Sequence, residues 1–430
     1  MKVAFHTLGC KVNQYEQAAL SAQLEKSGFE IVGEQECPDV FVVNSCTVTG
    51  ESNRKTRQAV RHYKKLYPDC TLVLTGCMAQ AFPEESKAID GVDLVIGNTE
   101  YADFSDILKE HIRKKEKFFD VREHMSDEPF TELPTPTFGG RTRAYIKIED
   151  GCNRFCSYCI IPYARGRVRS RSLESITAEA EKLAANGFAE IVLVGINLSA
   201  FGLDTGAQLC DAVDAVSAAD GVKRVRLGSL EPDQIDDSVL SRLAANPKFC
   251  PQFHLSLQSG CDRTLKMMNR HYDTAFYRDL VARIRKIFSN PSITTDIMVG
   301  FAGETEQDFK ESVDFAEEIG FAKAHIFEYS RREGTVAYNM VGQVSKADKK
   351  RRSKIMAAVT NASAERFHRS QIGMTAEVLF ERQTDGVYRG YTPNYTEVSA
   401  ESEEDISHKT LPVKITSADK DGCFGIIEKT

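Results

Sequence analysis

The sequence predicts an α/β protein in three parts, and three observations lead to this prediction. Up to about residue 131, apolar strand-like runs alternate with polar stretches that suit helices. The alternation continues over residues 132–370, whereas residues 371–430 contain short β-like runs in close succession. Alternating strands and helices are typical of parallel sheets, and closely spaced short strands are typical of small all-β barrels. We therefore predict an N-terminal parallel α/β domain (1–131), a central βα domain (132–370) and a C-terminal all-β barrel (371–430).

Composition and charge narrow the class of protein. Apolar residues make up 42% of the 430 residues, but no run reaches the roughly 18 apolar residues that a membrane span needs. The N-terminal segment MKVAFHTLGC lacks the apolar core and cleavage site of a signal peptide, so we expect a cytoplasmic protein without a membrane partner. The net charge of -7 argues against a globally basic nucleic-acid binder and still permits local basic patches.

Three cysteines of the first part each follow a strand-like run. Residues 2–6 lead to Cys10, residues 39–43 lead to Cys46, and residues 71–74 lead to Cys77. The loops after parallel strands lie along one edge of a sheet, so these cysteines could meet there. Considered alone, cysteines beside apolar strands are usually buried hydrophobic residues. However, the chain has twelve cysteines, and clustered cysteines of the reducing cytosol more often bind metal or do chemistry than form disulfides.

The central part follows a linker over residues 131–140 that contains two prolines and two glycines. Its six strand candidates are residues 144–148, 190–194, 224–228, 253–257, 294–298 and 324–328. This βα series fits an open sheet or a full or partial barrel. In barrels the chemistry lies at the carboxyl ends of the strands, and polar or glycine-rich residues follow each of these candidates.

A C-x-x-x-C-x-x-C motif follows the first strand of that series. Its residues Cys152, Cys156 and Cys159 can hold three irons of a [4Fe–4S] cluster and leave the fourth iron open to a small molecule. Structural zinc is the alternative, but it usually takes a fourth cysteine or histidine nearby, and none follows.

This motif, with Tyr158 before its last cysteine, resembles the signature of the radical S-adenosylmethionine superfamily. Three further segments resemble the methylthiotransferase family within it: GCKVNQYE (9–16), NSCTVT (44–49) and TGCMAQ (75–80). The resemblance implies a central partial (β/α)6 barrel, a C-terminal OB-like barrel similar to the RNA-binding TRAM domain, and S-adenosylmethionine as cofactor. It also implies two [4Fe–4S] clusters, the second of which is held by Cys10, Cys46 and Cys77 and carries the sulfur to be inserted.

The superfamily resemblance also suggests which residues contact the cofactor. The candidates stand in the cysteine motif or in and after the strands: Tyr158, Gly195, Asn197, Ser229, Glu231, Gln258, Arg270 and Asp296. A guanidinium such as that of Arg270 suits the cofactor carboxylate. Individually, each polar residue could instead be a helix cap or a loop hydrogen bond.

Two basic stretches follow the predicted cluster loops. One contains Arg165, Arg167, Arg169 and Arg171 beside Tyr163, and the other contains Arg54, Lys55, Arg57, Arg61, Lys64 and Lys65. Charge runs are usually solvated faces, but here phosphate contact is expected, and an RNA loop with splayed bases would suit the site. In the acidic C-terminal part, an RNA-binding patch would lie around Arg382, Tyr388, Arg389 and Tyr391.

The family transfers a methylthio group to an unreactive carbon, and its branches differ in substrate. Residues 9–16 most resemble the branch that acts on C2 of N6-threonylcarbamoyladenosine at position 37 of tRNA. The carboxylate of that substrate calls for a cation, and Arg331 and Arg332 are the candidates. The implied partners are a tRNA anticodon stem-loop, a flavodoxin- or ferredoxin-like electron donor and a sulfur source. Alternatives are the isopentenyladenosine and ribosomal-protein aspartate branches, or a non-catalytic RNA-binding protein stapled by iron–sulfur clusters or zinc.

Overall fold

A computed structural model describes residues 1–114, 118–136 and 138–428. Within these ranges, no helix combines the length and apolar character needed to cross a membrane.

The N-terminal part contains one parallel six-stranded sheet in the order β2-β1-β3-β4-β5-β6. Its elements are β1 (Lys2–Thr7), α1 (Lys11–Lys26), β2 (Glu30–Ile31), β3 (Val40–Ser45), α2 (Gly50–Leu66), β4 (Thr71–Gly76), α3 (Cys77–Ala81), α4 (Pro83–Lys87), β5 (Leu94–Ile96), a 3-10 helix (Asn98–Asp103), α5 (Phe104–Lys114) and β6 (Phe118–Asp120). All of β3 is buried, which explains its continuous apolar run, since helices cover both faces of such sheets. The cysteine-bearing loops after β1, β3 and β4 are neighbours because these three strands are adjacent.

The central part forms an arc of parallel strands with helices outside it. Its elements are β7 (Arg143–Lys147), β8 (Glu149–Asp150), α6 (Ile161–Arg165), β9 (Arg169–Ser170), α7 (Leu173–Ala185), β10 (Glu190–Val194), α8 (Leu209–Ala218), β11 (Arg224–Leu227), β12 (Ser229–Leu230), α9 (Asp237–Ala245), β13 (Gln252–Leu255), α10 (Asp262–Met267), α11 (Thr274–Ile287), β14 (Ser292–Val299), α12 (Glu306–Ile319), β15 (Lys323–Glu328) and α13 (Lys346–Ser370), with 3-10 turns at Leu198–Ala200, Pro232–Gln234 and Val336–Asn339. The order is β7-β10-β11 and then β12-β13-β14-β15, and only Gly228 separates β11 from β12. All six predicted strands are confirmed.

The arc remains open. Among the described residues, its outer strands β7 and β15 do not pair with each other. Of the alternatives that the sequence leaves open, the partial barrel is therefore the one observed. The open side faces the N-terminal part, where α1 packs against β7.

The C-terminal part is a closed five-stranded barrel in the order β16-β17-β18-β20-β19. Its strands are β16 (Thr375–Thr384), β17 (Val387–Tyr391), β18 (Glu397–Glu401), β19 (Thr410–Ala418) and β20 (Cys423–Ile427), so the predicted all-β barrel is confirmed. Arg224 and Arg226 on β11 donate to the backbone carbonyls of Glu377 (2.6 Å) and Pro393 (2.9 Å). The barrel thus docks toward the amino ends of the central strands, away from their carboxyl ends. The domain ranges given above remain a prediction.

Candidate cluster and cofactor site

Cys10, Cys46 and Cys77 converge around the side chain of Asn13. Cys10 directly precedes α1 and Cys77 is the first residue of α3. The Asn13 Nδ2 donates to the carbonyls of Leu8 (3.0 Å) and Ser45 (2.9 Å), which joins the first two cysteine loops. The Asn13 Oδ1 lies 3.5 Å from the Cys10 Sγ and 4.0 Å from the Cys77 Sγ. The structure therefore brings together the three cysteines that the sequence separates widely.

Two glycines permit this close approach. Gly9 has a φ of +111°, and a Cβ added there would lie 3.0 Å from the Cys46 Cβ. Gly76 has a φ of +89°, and a Cβ there would lie 2.4 Å from the Asn44 Oδ1. Since other residues rarely adopt a positive φ, glycine before Cys10 and Cys77 is required by both conformation and space.

The donor set of this first trio fits an iron–sulfur cluster. Cys46 and Cys77 are buried, whereas Cys10 is exposed. Burial raises the pKa of Cys77 to about 12, although Arg165 beside it acts in the opposite direction. Thiolates are the ligands that clusters use, so iron would have to stabilise the ionised form here.

The second trio, Cys152, Cys156 and Cys159, occupies the loop between β8 and α6. The Cys152 amide donates to the Gly166 carbonyl (3.0 Å), and the Cys159 amide donates to the Cys156 carbonyl (2.9 Å). Burial raises the pKa of Cys152 to about 12. The local fold holds all three thiols in one loop, which suits the three-cysteine cluster that their spacing indicates.

A cavity of about 170 Å³ lies between the loops of the two trios. Val48 and Thr49, just after Cys46, form part of its wall, and Cys159 forms another part. The remaining lining residues come from the motif loop and from the carboxyl-end region of the central strands: Tyr158, Ile160, Ile161, Gln258, Asp296, Met298, Phe327, Glu328, Tyr329 and Ser330. A ligand in this cavity would therefore contact both cysteine loops.

Three predicted cofactor contacts, Tyr158, Gln258 and Asp296, line this cavity. Gln258 has a φ of +66°, and its backbone pairs with Asp296 and Met298 on β14. The left-handed conformation at Gln258 is therefore held by hydrogen bonds at the cavity wall.

Gly195 and Asn197 lie against the buried carboxylate of Glu149, outside the set of cavity-lining residues. The Asn197 amide donates to the Glu149 Oε2 (2.8 Å), and a Cβ at Gly195 would lie 2.7 Å from that oxygen. Among the described residues, the Glu149 Oε1 and the Asn197 Oδ1 are buried without a hydrogen-bond partner. Burial raises the pKa of Glu149 well above its usual value. The Asn197 Oδ1 and the Glu149 carboxylate suit a ligand that carries N–H donors, such as the amino group of S-adenosylmethionine, and a bound cation there would favour the ionised form of Glu149.

Arg270 and Glu231 form a partly buried ion pair of 2.6 Å beside the second trio. Arg270 also donates to the Cys156 Sγ (3.3 Å) and to the Ser256 carbonyl (3.1 Å). The two residues thus meet as a pair, and a cofactor carboxylate would have to share Arg270 with Glu231. Ser229 is exposed and does not line the cavity.

The arginine run after the second trio requires a correction. Arg165 is fully buried and paired with Glu16, so it cannot contact an RNA phosphate. Arg169 and Arg171 are also buried, in ion pairs with Glu128 and Glu179. Only Arg167 of this run is exposed, and its guanidinium stacks on Phe155 at 4.7 Å. Tyr163 is 53% exposed and packs edge-on against the same ring.

The second basic stretch lies on α2, where it is partly neutralised. Arg54, Arg57 and Lys64 form ion pairs with Glu51, Glu85 and Asp93. Lys55, Arg61 and Lys65 are exposed. Three cations of this stretch therefore remain available, and their contact with phosphate stays a prediction.

Arg331 and Arg332 differ in their surroundings. Arg331 is exposed and donates to the Tyr338 carbonyl (2.6 Å). Arg332 is buried beside the Cys46 loop, where its Nη2 donates to the Thr47 Oγ1 (2.6 Å) and the Asn53 Oδ1 (3.3 Å). The Arg332 Nε has no partner among the described residues. Burial lowers the pKa of Arg332, and Glu85, the acidic group nearby, is already paired with Arg57.

The C-terminal patch also requires a correction. Tyr388 packs in the barrel core and is not available at the surface. Tyr391 stacks on Tyr395 at 4.6 Å, where Arg143 covers both rings. Arg382 and Arg389 are exposed, but both lie within 4 Å of the Glu397 carboxylate. Their contribution to RNA binding stays a prediction.

Sequence reasoning assigned no role to several buried charges that hold the two trios together. Glu16 on α1 binds both Arg165 and Lys147, and Lys147 also binds Asp150 (2.5 Å). Asn13 and Glu16 are three residues apart and therefore share one face of α1, which is the signal that the segment KVNQYE offers.

Comparison with known proteins agrees with this arrangement. Residues 2–97 match the Uncharacterized protein family UPF0004, and residues 146–316 match the Radical SAM superfamily. The chain is 36% identical over 425 residues to Threonylcarbamoyladenosine tRNA methylthiotransferase MtaB of Bacillus subtilis, covering 97% of this chain and 94% of the relative. It is 32% identical over 421 residues to tRNA-2-methylthio-N(6)-dimethylallyladenosine synthase of Pelotomaculum thermopropionicum, covering 95% and 94%.

The radical S-adenosylmethionine methyltransferase TsrM of Kitasatospora setae has a similar fold. The TM-score is 0.58 at 16% identity, over 78% of this chain and 73% of that chain. The likeness in fold agrees with the sequence relationship. At 36% identity over nearly the full length of both chains, this protein belongs to the methylthiotransferase family of the radical S-adenosylmethionine superfamily.

Proposed function

We propose that this enzyme adds a methylthio group to C2 of N6-threonylcarbamoyladenosine at position 37 of tRNA. Relatives with this activity in their names match at 36% identity, but relatives named for dimethylallyladenosine match at 32%. Overall similarity therefore favours tRNA as substrate without separating these branches. The charged residues beside the cavity favour one of the two substrates over the other.

Arg332 is the observation that favours the threonylcarbamoyl substrate. Buried charges are normally paired, because an isolated ion loses its hydration without compensation. Arg332 instead has two neutral acceptors, the Phe82 ring at 5.0 Å and an unpartnered Nε, and Ser330, two residues before it, lines the cavity. A threonylcarbamoyl group carries a carboxylate that a guanidinium can bind, whereas a dimethylallyl group carries no charge. Arg331, exposed at the same turn, is a second candidate contact.

As a member of its superfamily, the enzyme uses an iron–sulfur cluster and S-adenosylmethionine, and we propose that it holds two [4Fe–4S] clusters. Cys152, Cys156 and Cys159 would hold one, and Cys10, Cys46 and Cys77 the other. The bound groups supply one-electron cleavage of the cofactor and the sulfur that is transferred.

The chain's own residues would orient the reactants. Glu149 and Asn197 offer acceptors to the amino group of the cofactor, and Arg270 offers a donor to its carboxylate. The cavity between the two cysteine trios would hold the target adenine of the tRNA near both loops. Such proximity lowers the entropic cost of the reaction.

Exposed and half-buried groups near the motif loop would bind the anticodon stem-loop. Phe155 and Tyr163 offer ring surfaces for unpaired bases, and Arg167 offers a cation for phosphate. Lys55 and Arg61 on α2 would extend this contact, and the C-terminal barrel, at the amino ends of the central strands, would bind RNA away from the cavity. A tRNA substrate and reduced cysteines both favour a cytoplasmic location, with a flavodoxin- or ferredoxin-like protein as electron donor and a separate sulfur source.

Anaerobically purified protein tests this proposal. We expect about eight irons per chain, and methylthiolation of an anticodon stem-loop that carries threonylcarbamoyladenosine. The Cys10→Ala/Cys46→Ala/Cys77→Ala variant should retain about four irons and still cleave the cofactor, but form no methylthio product. Preferred turnover of isopentenyladenosine, or of a ribosomal-protein aspartate, would assign the enzyme to that branch instead. Zinc without iron would contradict the cluster assignment altogether.

A further inference from the structure

Arg165 is a fully buried arginine that contacts residues of both cysteine sites. It ends α6, the short helix that begins two residues after Cys159. From there its Nε donates to the Cys77 Sγ at 3.2 Å. The Arg165 side chain thus connects the segment that follows Cys159 with the thiol of Cys77.

The other guanidinium nitrogens of Arg165 are held just as firmly. Its Nη2 donates to the Asn13 Oδ1 (3.2 Å) and the Glu16 Oε2 (2.9 Å). Its Nη1 binds the other oxygen of Glu16 and lies 3.5 Å from Asp150. A bidentate pair with Glu16 fixes the plane of the guanidinium, so the direction of the Nε–H bond toward sulfur is fixed as well.

The surrounding charges keep Arg165 in place without removing its effect on Cys77. Glu16 also binds Lys147 (2.8 Å), and Asp150 also binds Lys147 (2.5 Å). Arg169 lies 3.7 Å from Asp150, so the two carboxylates are shared among three cations. The N–H group that faces the sulfur belongs to Arg165, and Glu16 and Asp150 bind other atoms of that guanidinium.

We propose that Arg165 is a positioning residue that sets the reduction potential of the cluster on Cys10, Cys46 and Cys77 and links its loop to that of the second cluster. The inference rests on the proposed two-cluster function. Hydrogen bonds to cluster sulfurs and nearby positive charge stabilise the more negative, reduced cluster and so raise its potential. Loss of Arg165 therefore lowers the potential of this cluster.

The test requires a protein in which only this cluster is observed. Full-length Cys152→Ala/Cys156→Ala/Cys159→Ala protein provides that background and should contain about four irons. In it, Arg165→Met/Glu16→Gln removes the N–H donor to the Cys77 sulfur without leaving an unpaired buried carboxylate; because a cation and an anion are lost together, the lost hydrogen bond accounts for the expected shift. A redox titration followed by electron paramagnetic resonance then measures the midpoint potential.

At the midpoint of the parent protein, the double variant should show at least about a tenfold excess of oxidised over reduced cluster. A tenfold change corresponds to about 59 mV for a one-electron couple. Arg165→Lys keeps the charges of both partners but loses the fixed N–H donor, so its potential should also fall below that of the parent.

Arg171→Met/Glu179→Gln is the matched control. Arg171 and Glu179, the latter on α7, form another buried pair in the central part, and Arg171 also reaches Tyr15 on α1 (3.4 Å) but, among the described residues, contacts no cysteine. This control should leave the potential unchanged.

The outcomes separate this inference from the proposed function. If the double variant loses its iron, the Arg165→Lys variant provides the test. A midpoint potential of Arg165→Lys below that of the parent supports the proposal. Unchanged potentials in the variants that retain iron would make Arg165 a structural residue only and overturn it. A parent protein without the four irons would instead refute the second cluster, and the proposed function with it.

Discussion

Replacing Arg332 should weaken recognition of the substrate carboxylate specifically. Its guanidinium is buried, donates from Nη2 to Thr47 and Asn53, and has an unpartnered Nε among the described residues. In the proposed complex, at least one charge-assisted hydrogen bond to the carboxylate is lost in Arg332→Met. Such a bond contributes about 1.5–3 kcal/mol, which corresponds to roughly a 10- to 100-fold decrease in kcat/KM.

The assay compares two anticodon stem-loops under anaerobic single-turnover and steady-state conditions. One carries threonylcarbamoyladenosine, and the other carries an analogue whose side-chain carboxylate is replaced by a carboxamide. The ratio of their kcat/KM values cancels any general loss of cluster or stability, since both substrates meet the same enzyme. Arg332→Met should reduce this ratio by about 10- to 100-fold, and Arg331→Met by less, because Arg331 is exposed and screened by solvent.

Arg171→Met is the control that measures the general effect of losing a buried arginine that does not contact the substrate. Arg171 lies in a buried pair with Glu179, so its loss should lower activity on both substrates equally. An unchanged ratio in Arg332→Met would refute the assignment of Arg332 to the carboxylate, whatever the activity that remains.

Other predictions concern RNA binding and pH. Arg167→Met should weaken RNA binding and reduce the slope of log affinity against log salt concentration by about 0.7–1, as expected for one lost phosphate contact. Fluorescence anisotropy titrations over a range of KCl concentrations measure this slope. An unchanged slope would show that Arg167 does not contact RNA phosphate. Burial raises the pKa of Glu149 well above 4.5, so its stabilising contribution is full below about pH 4.5 and is lost as the pH rises through the folded-state pKa. The decrease in Tm with rising pH should therefore be shallower in Glu149→Gln than in the wild type, and parallel melting curves would contradict this reading of Glu149.

The sequence predicted the strands better than the surroundings of individual charges. Alternating runs and turns are local features, which is why the six central strands and the terminal barrel could be located. The spacing of Cys152, Cys156 and Cys159 is also local. In contrast, the convergence of Cys10, Cys46 and Cys77 depends on the strand order β1-β3-β4, which spacing does not encode and family resemblance supplied.

The arginine run also shows that local sequence does not reveal the surroundings of individual charges. Arg165, Arg167, Arg169 and Arg171 alternate in sequence, yet only Arg167 is exposed. The partners that bury the others include Glu16, which is remote in the chain. Burial of a charge depends on such long-range partners, so composition alone suggested a phosphate-binding stretch. Tyr388 differs, because strict alternation along β17 could have indicated that it faces the barrel core beside exposed Arg389.

Nucleoside analysis of tRNA from cells that lack this protein tests the proposed substrate in vivo. We predict loss of the methylthiolated form of threonylcarbamoyladenosine, accumulation of its unmethylthiolated precursor, and unchanged methylthiolation of isopentenyladenosine. Re-expression of the wild type should restore the missing nucleoside, whereas the Cys10→Ala/Cys46→Ala/Cys77→Ala variant should not. Loss of the isopentenyladenosine product instead, or normal tRNA together with an altered ribosomal protein, would contradict the proposed substrate.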